Sequence, residues 1–340
     1  MDIARPYLLF LGDAADPLAA KTAAGVRDWR PDWCVGQWRL PGCTVDLGLP
    51  DMDPAQAAAQ GVRTAVIGVV NAGGVLPDHW VTGLVGALEA GLDLAAGLHT
   101  RLSSLPALAQ TAARTGRALH DVRHSDVRFA TGKGTKRSGR RVLTVGTDCS
   151  IGKKYTALAL EAGLRARGIR ADFCATGQTG VLIAGRGVAI DAVVADFISG
   201  AAEWLSPAAD PDHWDVIEGQ GSLYHPSFAG VSLGLLHGSQ PDAIVLCHEP
   251  TRRTMRGLPD RPLPSVAACI EGNLAMGRLT NPDIRCIGLS VDTHNLPPEE
   301  RRACLDALSA EHGLPATDPI AFGVDVLVDA LLALPVSARP

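Results

Sequence analysis

The order of elements along the 340-residue chain predicts an α/β protein of parallel, helix-covered sheets. Short strand-like runs alternate with helical ones, and each run ends in polar, glycine-rich sequence. One such run, Val142 to Val145, passes through Gly146-Thr-Asp-Cys-Ser-Ile151 into Gly152-Lys153 and the apolar helix face of Leu158, Leu160 and Leu164. Strand, glycine loop, Gly-Lys and helix in this order form a phosphate-binding loop.

In the first half, Tyr7 to Gly12 reads as a strand, with Asp13, Lys21 and Thr22 in the loop or helix start after it. The unit is Rossmann-like, yet it lacks the G-x-G-x-x-G fingerprint, so a dinucleotide is not expected. Trp29, Trp33 and Trp38 sit in a segment read as packed irregular structure. Next come a strand from Arg63 to Val70 ending in Asn71-Ala-Gly-Gly74, a helix over 78–90, a strand over 93–96, a helix over 106–115 and a strand over 118–122. His99, Arg101 and Arg123 follow strand ends, where open α/β sheets place ligands. A Rossmann-like domain is therefore expected over 1–130, then a solvated, basic, glycine-rich linker over 131–141.

Residues 142–340 read as a P-loop-type domain with a three-layer parallel sheet. Strands are expected at 171–175, 214–217, 243–247 and 284–290, with helices at 193–205, 266–276, 298–312 and 324–334. Between them lie a second glycine loop, Thr176-Gly-Gln178-Thr-Gly180, and the strand-end runs Glu218-Gly-Gln-Gly-Ser222 and His248-Glu-Pro-Thr-Arg252-Arg253.

The phosphate loop departs from the usual G-K-[ST] ending, because Lys154 stands where a hydroxyl would complete a Mg²⁺ shell. Thr156 lies about 200° further round the helix and cannot replace it. Main-chain amides at a helix N-terminus still bind an anion. The expected cradle comprises Thr147, Asp148, Cys149, Ser150, Gly152, Lys153, Lys154, Tyr155 and Thr156, with no metal. Two lysines suit a carrier such as coenzyme A at least as well as ATP with Mg²⁺.

Composition narrows the partners. A net charge of −5 offers no general attraction to nucleic acid or an anionic membrane, and three Tyr with six Phe make a poor stacking surface. No run approaches the ~18 apolar residues of a membrane span, and no secretory signal opens the chain. The eight cysteines form no C-x-x-C pair and read as reduced thiols. A cytoplasmic homo-oligomer acting on small molecules is expected.

Gly146-Thr-Asp-Cys-Ser-Ile-Gly-Lys153 and Glu218-Gly-Gln-Gly-Ser-Leu223 resemble the corresponding loops of dethiobiotin synthetase, a P-loop enzyme that uses ATP. A likeness over nearly the whole chain rests on Leu9-Phe-Leu-Gly-Asp13, Ala19-Ala-Lys-Thr-Ala23, Ala175-Thr-Gly-Gln-Thr-Gly180, Ile183-Ala-Gly185, Ile190-Asp-Ala-Val193, Leu235-Leu-His-Gly-Ser239 and Cys247-His-Glu-Pro-Thr251. These runs resemble a bacterial and archaeal family known as a domain of unknown function, whose members with an assigned activity are D-glutamate N-acetyltransferases. The resemblance implies a Rossmann-like half, a P-loop half and acetyl-coenzyme A as donor. The alternatives are a Mg-ATP-dependent ligase and a non-catalytic nucleotide or coenzyme A sensor.

Acetyl transfer to an amino acid needs a base for the ammonium and donors for the oxyanion. His225 is the first candidate base, with His248 and Glu218 next. Cys149 could carry the acetyl group if the helix N-terminus lowered its pKa. Arg252 and Arg253 are the main candidates for the acceptor's carboxylates, with Arg101, Arg123 and Gln178 as alternatives.

Overall fold

The computed structural model describes residues 2–17, 19–69, 76–124 and 127–335. The chain divides into two compact units, Met1–Arg128 with Gly177–Ala192, and Phe129–Thr176 with Val193–Pro340. The expected strand end at Val70 and the run Asn71 to Gly74 lie outside the described residues.

The first unit contains β1 (Tyr7–Gly12), α1 (Lys21–Trp29), β2 (Cys34–Arg39), α2 (Pro54–Ala59), β3 (Thr64–Ile67), α3 (Asp78–Glu89), β4 (Asp93–Ala96), α4 (Pro106–Thr115) and β5 (Leu119–Asp121). Its five strands are parallel in the order β2-β1-β3-β4-β5, so chain direction across the sheet reverses beside β1, as in doubly wound folds. Leu8, Phe10, Ile67 and Leu94 form the core with Trp80, Leu84 and Leu88. The tryptophan segment is not irregular. Trp29 ends α1, and Trp38 lies inside β2 with its ring 4.5 Å from that of Phe10. Gly36 and the buried Gln37 interrupt the apolar alternation, which hid this edge strand from the sequence reading.

The second unit begins with β6 (Arg140–Gly146), α5 (Lys153–Ala166) and β7 (Ala171–Cys174). The chain then contributes α6 (Gln178–Ala184) to the first unit, where Ile3 N–H bonds Gly185 O at 2.8 Å. This segment was expected wholly within the C-terminal domain. The second unit resumes with α7 (Ile198–Leu205), shorter than the helix expected, then β8 (Trp214–Ile217), α8 (Ala229–Ser239), β9 (Ala243–His248), β10 (Thr254–Met255) and β11 (Leu258–Pro262). It closes with α9 (Val266–Gly277), β12 (Arg285–Val291), α10 (Pro298–His312), β13 (Ala316–Thr317) and α11 (Asp325–Leu332). Six parallel strands run β13-β12-β9-β6-β8-β7, with a separate antiparallel hairpin, β10-β11. The strand bearing the phosphate loop is thus central, flanked by β9 and β8.

Residues 131–135 are exposed and outside regular structure, but the basic segment from Lys136 to Arg141 is not solvated. Arg137 donates to Ser206 O (2.8 Å), Gly238 O (2.8 Å) and Gln240 Oε1 (3.1 Å), and burial lowers its pKa to about 10. Arg141 is fully buried and donates to Arg137 O, Ser138 O and Pro207 O. Five guanidinium donors can satisfy several loop carbonyls at once, so a basic segment here serves as internal bracing.

Strand register brings the functional loops together. Leu143 pairs with Ile217, which sets Gly219 against Thr144, and Gly219 N–H bonds Thr144 Oγ1 at 2.9 Å. A Cβ at Gly219 would lie 1.6 Å from Thr144 O, a clash with main chain that no rotamer can relieve. Gly219→Ala is expected to lower stability by about 3 kcal/mol, measured by urea unfolding.

Candidate functional site

The loop between β6 and α5 turns through two left-handed residues, Ser150 (φ 51°) and Gly152 (φ 91°). Among the described residues, the main-chain amides of Asp148, Cys149, Ser150, Ile151 and Gly152 donate to no protein acceptor. Polar hydrogens left unpaired in succession at a helix N-terminus form an anion cradle. Lys153 is buried beneath it, donates to Asp148 O at 2.6 Å, and has its pKa lowered by burial. An anion in the cradle would favour its charged form. Lys154 is partly exposed, its ammonium 4.5 Å from the ring centroid of exposed Tyr155.

Two residues expected in the cradle face elsewhere. Thr156 Oγ1 points into the core, bonding Gly152 O at 3.0 Å and Ser290 Oγ at 2.7 Å. Thr147 is buried, with its N–H on Cys247 O at 3.1 Å and its hydroxyl 3.1 Å from His248 Nδ1. The pairing of Gly146 with Cys247 sets this arrangement, since it places Thr147 and His248 at adjacent strand ends.

Arg252 does not offer its fork to a substrate. Nη1 donates to Asp148 Oδ2 at 2.9 Å and Cys149 O at 2.6 Å, and Nη2 donates to Ser150 O at 3.0 Å. It is therefore a staple across the phosphate loop. Glu249 steadies it, with Oε2 3.7 Å from Arg252 Nε, while Oε1 accepts Thr251 N–H at 2.9 Å. The sequence reading missed both Glu249 and Arg256, whose N–H bonds Asp148 Oδ2 at 2.8 Å. The arginine spacing around the Arg256-Gly257 turn was the available signal. Arg253 is exposed at the start of the hairpin, and its carbonyl accepts Leu263 N–H at 3.0 Å.

His225 is poorly placed as a base. Nε2 bonds the carbonyl of Arg256 at 3.1 Å and must carry the proton, while Nδ1 accepts Ser227 N–H at 3.2 Å. Asp148, Cys149 and His225 each bring one potential metal-ligand atom within 4.8 Å of the others, but both imidazole nitrogens are engaged, so a cation there would have to break a main-chain bond. Cys149 fails the expectation of a lowered pKa, because burial raises its thiol against the pull of Lys153. Glu218, buried after β8, accepts Thr176 N–H at 3.0 Å and orders that strand end. His248 is better suited to proton transfer. Burial pushes its pKa below the ordinary 6.5, so it is neutral at pH 7.

The remaining candidates belong to the first unit. Arg123 pairs with Asp191 at 2.6 Å, Gln178 opens α6 against Gly97, and Arg101 precedes a short 3₁₀ turn. His99 lends its carbonyl to His124 at 3.3 Å.

A central parallel strand, an amide cradle and a buried lysine define the second unit as a P-loop domain with an anion site. Residues 128–328 match a family model described as a domain of unknown function, DUF1611, P-loop domain, and residues 38–125 match its Rossmann-like N-terminal domain. The chain belongs to the DUF1611 family. A protein of Tritonibacter scottomollicae named D-glutamate N-acetyltransferase is 54% identical over 332 residues, covering 98% of this chain and 100% of that one. A protein of the same name from Pseudoalteromonas is 51% identical over 328 residues, covering 96% and 99%. A DUF1611 family protein from Anabaena variabilis, known by crystal structure, is 31% identical and superposes with a TM-score of 0.83 over 97% of this chain and 100% of that one.

Arg252→Ala should leave the buried Asp148 carboxylate short of its cation and cost about 3 kcal/mol. Arg252→Lys should recover little, since one ammonium cannot reproduce the fork; thermal denaturation of the two variants checks this.

Proposed function

We propose that this protein is a D-glutamate N-acetyltransferase that takes acetyl from acetyl-coenzyme A and holds that donor's phosphates in the loop between Gly146 and Lys153. Relatives of that name at 54% and 51% identity over nearly full length support the reaction class and the acceptor. The row of unpaired amides closed by buried Lys153 supports the donor and carries this reading. Its lack of a hydroxyl favours binding without magnesium, since Lys154 replaces one side chain and Thr156 is turned inward.

The acceptor's ammonium must lose one proton to solvent before its nitrogen attacks the thioester carbonyl. The C–N bond then forms, the C–S bond breaks, and the thiolate leaves. Neutral His248 takes a proton from the nitrogen and returns it to the departing sulfur, with Thr147 orienting its ring.

The deciding experiment is a free-thiol assay with acetyl-coenzyme A and D- or L-amino acids in the presence of EDTA. D-glutamate-dependent thiol release is the expected result. Product formation only with magnesium and ATP would overturn the reading in favour of a ligase. Lys153→Ala should weaken coenzyme A binding about 100-fold, as measured by calorimetry.

The His248 pKa sets the direction of the pH profile. Protonation removes the base, so the fall of kcat/KM with falling pH should steepen as pH drops through a value below 6.5. His248→Gln should lower kcat about 100-fold and abolish that extra steepening.

A further inference from the structure

The hairpin beside the phosphate loop carries a charge pattern that the mechanism above does not use. Four arginines and one aspartate lie between Arg252 and Arg261. Arg252 is committed to the loop, but Arg253, Arg256 and Arg261 are exposed, and among the described residues none has a carboxylate within 4.0 Å. Some exposed arginines elsewhere are paired with acids, including Arg114 with Glu89, Arg165 with Asp172, and Arg170 with Asp210 and Asp212, while others such as Arg63, Arg278 and Arg285 stand singly; what sets the hairpin apart is three such arginines within nine residues. Like charges gathered on a two-stranded ribbon repel one another, and an anionic ligand would relieve that repulsion.

The hairpin is also fixed to the loop. Arg256 N–H bonds Asp148 Oδ2 at 2.8 Å, and its carbonyl accepts from His225 Nε2 at 3.1 Å. Buried Met255 anchors the turn. Burial raises the Cys149 thiol, and the charges of Lys153, Arg256 and Arg252 act against it, so the field of Arg256 reaches the cradle.

We propose that Arg253, Arg256 and Arg261 form the subsite for the 3′-phosphate on the donor's adenosine ribose. This rests on acetyl-coenzyme A being the donor. The cradle and Lys153 suit the pyrophosphate, and the remaining phosphate is a terminal monoester about one ribose away. Guanidinium forks match its oxygens and need no metal.

The test compares acetyl-coenzyme A with acetyl-3′-dephospho-coenzyme A in steady-state kinetics. The wild type should prefer the phosphorylated donor about tenfold or more in kcat/KM, mainly through donor KM. The triple variant Arg253→Ala, Arg256→Ala, Arg261→Ala should lose that preference and keep its KM for D-glutamate. Arg256→Lys, which keeps the charge, should retain most of the preference and shows whether the hairpin still folds. A triple variant that still discriminates, or one whose D-glutamate KM rises equally with both donors, would overturn the subsite alone. A wild type that uses neither donor would overturn the donor reading and this subsite together.

Discussion

The buried carboxylate of Asp148 is the constraint on which the site depends. A negative charge in the middle of an anion-binding loop is costly unless it is neutralised from within. Arg252 supplies the cation and Arg256 N–H a second donor, so the carboxylate is neutralised within the loop whose amides face outward. The same contacts join the loop to the β10–β11 hairpin and, through Arg256 O, to His225. Asp148, Arg252 and His225 therefore hold the cradle's shape, leaving its amides and Lys153 to face a ligand.

Much of this was legible in the sequence because it depends on local rules. The strand, glycine loop and helix from Val142 onward follow from periodicity and from the amide geometry of a helix start. The absent hydroxyl at Lys154 was equally plain, and helical phase alone removed Thr156. Side-chain destinations were less accessible. Nothing in the run His248-Glu-Pro-Thr-Arg252-Arg253 says that the first arginine turns onto the loop while the second stays exposed, because that choice depends on Asp148, 104 residues away. Likewise, Arg137 and Arg141 look like solvated charges until the carbonyls of Ser206, Pro207 and Gly238 are brought to them. Long-range pairing decides such cases.

The two candidate histidines show how register outranks residue type. Both follow strand ends, yet one has each ring nitrogen tied to main chain, while the other meets a single hydroxyl across adjacent strands. The Gly146–Cys247 pairing makes that difference, since it fixes which side chain stands beside Thr147. A fold of this kind can thus change which strand-end group is available for chemistry without altering the cradle itself.

The excursion of Gly177–Ala192 into the first unit bears on how the chain is made. The amino-terminal unit is unfinished until Ala192 has left the ribosome, by which time β6, α5 and β7 have already been synthesised. Its nascent surface where α6 packs must wait through that interval, so the two halves mature as overlapping rather than successive events. Division of the gene near the end of the first unit would give two polypeptides, one lacking a helix and the other carrying a helix that belongs to its neighbour.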